Sequence, residues 1–107
     1  ERHKPLLFKS EKIFRKLNVS NIFSKHDDGG LGWKDQAPFD RIIVTASAPE
    51  IPQNLINQLS EDGIMIIPIG DDYSDQVLKK IKKKDNKVLS ENLIGVRFVP
   101  LLEGKEN

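Results

Sequence analysis

Two apolar runs joined by a short helical pattern constrain the fold of this chain more than any other feature. Asp40–Ala46 (DRIIVTA) and Ile64–Ile69 (IMIIPI) lack the alternation of apolar and polar residues that half-exposed strands show. Such runs are typical of strands that are covered on both faces, as in parallel sheets. Between them, residues 52–59 have the apolar spacing of a short helix that begins at Pro52 and ends before Asp62–Gly63. The order strand, helix, strand predicts a doubly wound α/β sheet.

The flanking segments extend this prediction. Residues 5–18 have the spacing of an amphipathic helix that stops at Asn18, and residues 22–24 are a candidate strand. Asp85–Asn86 is a turn signal and residues 94–101 are of extended character, so the tail predicts an antiparallel hairpin that closes the edge of the sheet. We expect the charged end, Glu103–Asn107, to be frayed.

The composition excludes several classes of function. The chain has 107 residues, which fits one domain, and its 17 Lys and Arg against 16 Asp and Glu are not typical of nucleic-acid-binding domains. Six lysines between residues 79 and 87 have no aromatic residue among them for base stacking and predict a solvated hairpin tip. With no Cys and two His, no disulfide and no metal site is expected. No apolar run approaches the ~20 residues that span a bilayer, so we expect a soluble, cytoplasmic chain without membrane partners.

Two loops carry the residue types of a binding site. Asp28–Gly29 follow the candidate strand at 22–24, and residues 45–52 leave the carboxyl end of the first apolar run, where open α/β sheets bind their ligands. A carboxylate can accept a hydrogen bond from an exocyclic amine, and glycine lets the backbone approach a flat ring. The alternative is a pair of ordinary surface loops, since turn chemistry enriches the same residues.

These segments together resemble one known family. APFDRIIVTASAPEIP, LINQL, DGIMIIPIG and GVRFVPL resemble the carboxyl-terminal half of the protein-L-isoaspartate O-methyltransferase family, and DDGGLGW resembles its Gly-Asp-Gly…Gly-Trp element. The resemblance implies part of a doubly wound, Rossmann-like methyltransferase fold with a carboxyl-terminal antiparallel hairpin. It also implies the transfer of a methyl group from S-adenosylmethionine to the carboxylate of isoaspartyl residues in protein repair.

The resemblance further implies a cofactor-binding set. Glu1 resembles the acid that holds the cofactor ribose hydroxyls, and Arg2 would lie beside the adenine through its backbone or stem. Asp28 resembles the adenine-contacting acid, and Gly29 the adjacent backbone donor. Thr45 would line the cofactor side of the crevice.

A substrate-binding set follows in the same way. Its members lie on two later segments of the sequence, one before the helix and one near the end. The first segment would line the crevice and touch the peptide, and the second would run along the peptide backbone: Ala46, Ser47, Ile51 and Pro52, then Val96, Arg97 and Phe98.

The sequence also departs from the family pattern. Asp27 stands where the family has glycine, and the glycine-rich cofactor loop that precedes this region in the family is absent, as is the segment that would supply catalytic residues. The chain begins at Glu1 rather than Met, so we expect residues 1–107 to be the carboxyl-terminal part of a single, monomeric methyltransferase domain. Two alternatives remain: a non-catalytic peptide-binding remnant, and a related methyltransferase with a different substrate.

Overall fold

A mixed β-sheet organises most of the chain. The structure is a computed structural model that describes residues 1–71 and 75–107. Within these residues the strands lie in the order β1-β2-β3-β4, with β1 parallel to β2 and the other neighbours antiparallel. Their bounds are Phe39–Ile43 for β1, Leu59–Gly70 for β2, Gln76–Lys84 for β3 and Lys87–Val96 for β4.

Two α-helices accompany the sheet in the described part of the chain. Helix α1 (Lys4–Lys16) has proline in its first turn, and Asn18 just beyond it takes a left-handed φ of 57°, which agrees with the predicted stop. Helix α2 (Gln53–Gln58) connects β1 to β2, as the strand, helix, strand order predicts. It ends earlier than expected, because Leu59 already belongs to β2. Neither helix is long and apolar enough to cross a membrane.

The chain divides into two compact units. The first comprises Glu1–Gly29 with Leu102–Asn107, and the second comprises Gly30–Leu101. The first unit contains α1, of which Leu7 is the buried apolar residue. The second unit contains the sheet and α2.

The core of the second unit is built around β2. Met65 and Ile67 of β2 and Ile81 of β3 are completely buried, and they cluster with apolar residues of α2 and of the loop before it. Because β2 is hydrogen-bonded along both edges, its main-chain polar groups are satisfied even where its side chains are fully buried. The predicted buried strand at Ile64–Ile69 is therefore confirmed.

The prediction for the first apolar run is wrong in one respect. Among the strands of the described residues β1 is the first in the sheet order, and Ile43 is 75% exposed whereas Ile42 packs against the core. Coverage on both faces requires a second layer, and no residue of the described ranges covers Ile43. The apolar run is accurate as a strand signal, but it does not report the position of the strand in the sheet.

Two further local predictions, a strand at residues 22–24 and the bounds of the hairpin, differ from the structure. Residues 22–24 form no strand, because the described chain offers no neighbouring strand for their main chain, and Phe23 is 81% exposed. The carboxyl-terminal hairpin is confirmed, but its second strand is Lys87–Val96 rather than residues 94–101. A two-residue turn at Asp85–Asn86 pairs Lys84 with Lys87 at once, so the second strand starts directly after it.

The terminal residues are not frayed. The N–H of Lys4 donates to the carbonyl of Glu106 at 2.9 Å, and the N–H of Glu106 donates to the carbonyl of Arg2 at 2.6 Å. These bonds pair His3 with Glu106 as an isolated parallel bridge within the first unit. Charge composition predicted a loose end, but main-chain pairing with the other terminus anchors this segment.

The hairpin turn yields a stability prediction. Asp85 and Asn86 both have positive φ, 53° and 59°, which is the geometry of a type I′ turn. Glycine adopts this backbone at lower cost than Asn, so Asn86→Gly should stabilise the chain by about 0.5 kcal/mol. The β-branched control Asn86→Val should destabilise it by about 1–2 kcal/mol. Thermal unfolding followed by circular dichroism measures both, and equal stability of the two variants would contradict the assigned turn.

Candidate cofactor and peptide site

The first unit brings together two predicted site segments that are far apart in the sequence. The N–H of Asp27 donates to the carbonyl of Glu1 at 3.1 Å, and the amino group of Glu1 donates to the carbonyl of Lys25 at 3.1 Å. Residues 1–3 therefore lie beside residues 25–28. Two carboxylates that the sequence analysis assigned to one ligand, those of Glu1 and Asp28, belong to these neighbouring segments.

The Glu1 carboxylate is exposed and held by local main chain. Its Oε1 accepts a hydrogen bond from the N–H of His3 at 2.8 Å. This bond lowers the pKa of Glu1 below its usual value, because a hydrogen bond to the charged form favours ionisation. An ionised, accessible carboxylate can accept hydrogen bonds from hydroxyl groups, as the predicted ribose-binding role requires.

The side chain of Asp27, which stands where the family has glycine, contacts neighbouring residues of its own segment. Its carboxylate accepts the N–H of Asp28 at 2.9 Å and forms an ion pair with Lys25 at 3.2 Å. The N–H of Asp28 is the main cause, and Lys25 a further one, of a lowered pKa for Asp27. The negative charge that Asp27 adds is thus compensated by Lys25 and by the N–H of Asp28.

Asp28 is buried, whereas Gly29 is open. Asp28 is 8% exposed, and its Oδ2 accepts the N–H of Gly104 at 3.1 Å. A Cβ built on Gly29 would meet no atom within 4 Å. The carboxylate of Asp28 therefore helps to hold the carboxyl-terminal segment. At Gly29 there is space for another group to lie close to the main chain.

Arg2 directs its charge toward the carboxyl-terminal segment. Its guanidinium donates to the carbonyl of Gly104 at 3.2 Å and pairs with the carboxylate of Glu106 at 3.3 Å. A cofactor contact by Arg2 would accordingly use its backbone or stem, as the sequence analysis implied. His26, which was not among the predicted site residues, also holds this segment, since its Nε2 lies 3.0 Å from the carbonyl of Arg2 and 2.7 Å from that of Glu106. No pattern in the sequence indicates this contact.

In the second unit, Ser47 lies inside the fold rather than on a crevice wall. It is 3% exposed, its N–H donates to the carbonyl of Val99 at 2.8 Å, and its carbonyl accepts the N–H of Leu101 at 2.7 Å. Its hydroxyl also donates to the carbonyl of Val99, at 3.4 Å. The expectation that Ser47 presents itself to the substrate is not met by this geometry, since its polar groups hold the segment that follows β4.

The other residues of the loop after β1 are more accessible. Thr45 is exposed, and Ala46 is half-buried. Ile51 packs against the core, and half-buried Pro52 lies at the amino-terminal end of α2. Their ligand contacts remain predictions.

The main chain of Val96–Phe98 is only partly open, and the contacts of these residues with a peptide remain predictions. Val96 ends β4 opposite Gln76, and both Val96 and Phe98 are half-buried. The N–H of Phe98 donates to Gln76 Oε1 at 2.7 Å, and Gln76 Nε2 donates to the carbonyl of Phe98 at 3.0 Å. The main chain of Phe98 is therefore paired within the fold, so the prediction of a uniformly open edge is wrong there. Arg97, by contrast, is exposed.

A second buried glutamine, Gln58, holds the loop that contains Gly32. Its Oε1 accepts the N–H of Trp33 at 2.8 Å, and its Nε2 donates to the carbonyl of Leu31 at 2.9 Å. Gly32 between them has φ +67°, and a Cβ there would lie 2.1 Å from Gln58 Oε1. Glycine is required at this position both by the left-handed backbone and by the close approach of the amide. The glycines of this loop predict it from the sequence, but no sequence pattern indicates its contact with Gln58.

Comparisons with known proteins give the family. A model of the protein-L-isoaspartate(D-aspartate) O-methyltransferase family matches residues 1–106. The chain belongs to this family. The family resemblance inferred from sequence segments is thereby confirmed.

The curated relatives that match are protein-L-isoaspartate O-methyltransferases. That of Paramagnetospirillum magneticum is 51% identical over 105 residues, which cover 97% of this chain and 49% of the relative. That of Photobacterium profundum is 46% identical over 104 residues, which cover 97% of this chain and 49% of the relative. The chain spans about half the length of these relatives.

Solved structures confirm the α/β, Rossmann-like methyltransferase fold. A Plasmodium falciparum protein assigned to protein-L-isoaspartate O-methyltransferase, crystallised with S-adenosyl-L-homocysteine, matches with a TM-score of 0.81 and 35% identity. The match covers 95% of this chain and 50% of that one. A second protein-L-isoaspartate O-methyltransferase matches with a TM-score of 0.82 and 28% identity over 91% of this chain and 31% of that one.

The compensation of Asp27 predicts a pH effect. Its lowered pKa means that the bonds of its carboxylate contribute stability above the ordinary value of 3.8, and that this contribution is lost as pH falls through the lowered value. Lys25→Ala should raise the pKa of Asp27 part of the way toward 3.8, because the larger cause, the N–H of Asp28, remains. Side-chain carboxyl NMR titration of Asp27 in the two chains measures this. An Asp27 pKa at or above 3.8 in the unsubstituted chain would refute the assignment.

Proposed function

We propose that this chain supplies the adenosine-binding and peptide-binding part of a protein-L-isoaspartate O-methyltransferase. The observation that carries the proposal is the single family match across residues 1–106. The neighbouring Glu1 and Asp28 segments support it, since they unite the two acids that the family resemblance assigns to one cofactor. The full activity is that of the longer proteins of which this chain spans half.

The residues of the first unit fit S-adenosylmethionine. The exposed, ionised carboxylate of Glu1 suits vicinal ribose hydroxyls, because each of its oxygens can accept an O–H hydrogen bond. The open space at Gly29 suits a planar ring that lies close to the backbone. When bound, S-adenosylmethionine supplies an electrophilic sulfonium methyl group.

The reaction needs no general base from this chain. An isoaspartyl carboxylate has a reference pKa of ~4, so it is ionised near neutral pH. Its oxygen forms the new bond to the methyl carbon while the carbon–sulfur bond breaks, and the electron pair remains on sulfur. No proton is transferred. The task of the protein is alignment of the two reactants and exclusion of water, which accounts for the lack of a His or Cys nucleophile among the site residues.

The substrate would be held through main-chain contacts. Arg97 is exposed beside paired Val96 and Phe98, and a strand-like peptide can bind an exposed main-chain segment by β-augmentation. Such binding depends little on the peptide side chains, which suits an enzyme that meets many damaged sequences. Thr45, Ala46, Ile51 and Pro52 are retained in the proposal as crevice residues.

The proposed partners are isoaspartyl proteins and peptides. The protein would act as a monomer in the cytoplasm, without a nucleic-acid or membrane partner. Its formal charge of +1 supports the absence of a nucleic-acid role, because extended phosphate contacts require a clear basic excess.

A chimera tests the proposed activity. The part of the Paramagnetospirillum magneticum relative that precedes its match to this chain is joined to residues 1–107. We expect the chimera to transfer labelled methyl groups from S-adenosylmethionine to an isoaspartyl peptide, and not to the same peptide with an ordinary aspartyl linkage. A folded, cofactor-binding chimera that does not methylate the isoaspartyl peptide would contradict the proposal.

Asp28 provides a test of the cofactor role in the same chimera. Loss of one charge-assisted hydrogen bond is worth ~1.5–3 kcal/mol, so Asp28→Ala should raise the cofactor Kd by about 10- to 150-fold. The matched control is Asp35→Ala, which removes an exposed carboxylate from the same loop region. Calorimetry gives the two Kd values, and circular dichroism checks the fold, since Asp28 also holds Gly104. An unchanged Kd in a folded Asp28→Ala variant would remove Asp28 from the cofactor site.

A further inference from the structure

The side chain of Gln76 imitates a main-chain partner in a sheet. Gln76 is the first residue of β3, it is 2% exposed, and its own main chain lies opposite Val96 at the end of β4. Beyond that point its amide group provides an acceptor and a donor to Phe98, at 2.7 Å and 3.0 Å. An antiparallel strand would supply the same two bonds to one residue. The side chain thus continues the β3–β4 pairing for one further step.

This pairing determines which way the main chain of Arg97 faces. In an extended segment the N–H and C=O groups of successive residues point to opposite sides. Because Phe98 faces Gln76, Arg97 and Val99 face the other side, where the carbonyl of Val99 accepts the N–H of Ser47. Within the described residues the main chain of Arg97 has no hydrogen-bond partner. It is an open position in an otherwise paired segment.

A cavity lies next to this open position. Its volume is about 530 Å³, and both partners of the Gln76–Val96 pair contribute to its wall. The remaining lining residues flank that pair on β3 and β4: Asp75, Val77, Gly95 and Arg97. The cavity therefore borders Arg97.

We propose that Gln76 is a positioning residue for the peptide substrate. Its buried amide holds Phe98 in extended conformation, so that the N–H and C=O of Arg97 are presented to the isoaspartyl peptide. This inference rests on the proposed function, and it assigns to Gln76 a role in peptide affinity without contact to the reacting atoms. Glutamine is suited to the role because a single side chain offers one donor and one acceptor at the spacing of a peptide group.

Two substitutions remove the pairing in different ways. Gln76→Glu keeps an acceptor for the N–H of Phe98 but replaces the donor to its carbonyl by an oxygen. Gln76→Met keeps the length and removes both bonds, and it remains informative if a buried carboxylate prevents folding. The matched control is Gln53→Glu, because Gln53 is exposed on α2 and hydrogen-bonds to Asn57 there.

The experiment uses the chimera described above, with kinetics on an isoaspartyl peptide, cofactor titration and amide hydrogen exchange. We expect both Gln76 variants to raise the peptide KM about tenfold and to change the cofactor Kd less than twofold. Gln76→Met, which removes the acceptor of the Phe98 N–H, should also lose protection of the Phe98 amide. Gln53→Glu should change none of the three. A merely structural role would instead raise KM and the cofactor Kd together.

The outcomes separate the inference from the proposed function. An active chimera whose folded Gln76 variants keep the original peptide KM overturns the inference alone. A folded wild-type chimera without methyl transfer contradicts the proposed function. In that case hydrogen exchange of the Phe98 amide still tests whether Gln76 holds this segment. Equal protection of that amide in the wild type and in Gln76→Met would show that it does not.

Discussion

Burial of β2, with hydrogen bonds along both of its edges, is the constraint on which the second unit depends. Met65 and Ile67 can be completely buried because β1 and β3 satisfy the main chain around them. The parallel pairing with β1 requires a crossover, which α2 supplies, and it leaves the loop after β1 at the carboxyl end of the strands. The antiparallel pairing with β3 places Gln76 beside Gly70 at the same end. The loop after β1 meets the segment that follows β4 at this end, where Ser47 bonds to Val99 and Leu101.

Two buried glutamines shape the loops that this sheet leaves unpaired. Gln58 binds the main chain on both sides of Gly32, and Gln76 binds both main-chain groups of Phe98. A buried amide without partners costs several times what a formed hydrogen bond contributes, so each glutamine strongly disfavours other conformations of its loop. Regular secondary structure ends near these positions. Beyond it, the amide groups of the two glutamine side chains provide the hydrogen bonds that a neighbouring main chain would otherwise give. This arrangement gives irregular segments the defined geometry that a binding site needs.

In the first unit, acidic residues serve structure and the proposed ligand at the same time. Asp28 holds Gly104, and Glu1 is held by the N–H of His3. Asp27 shows how the family glycine can be replaced, because its charge is compensated by Lys25 and by the next N–H of the chain. The carboxyl-terminal residues are part of this network. Removal of that end would therefore disturb the segments that carry the proposed cofactor contacts.

The sequence by itself determined the local structure and the family. Apolar runs, the helix between them and the Asp85–Asn86 turn depend on neighbouring residues, so their patterns predicted β1, α2, β2 and the hairpin. Tertiary structure alone decided the anchoring of Glu106, the burial of Ser47 and the pairing of Gln76 with Phe98. Each of these is a choice of partner between residues that lie far apart in the chain. Such a choice depends on strand order and on which groups remain unsatisfied after the sheet has formed, and no local pattern encodes it.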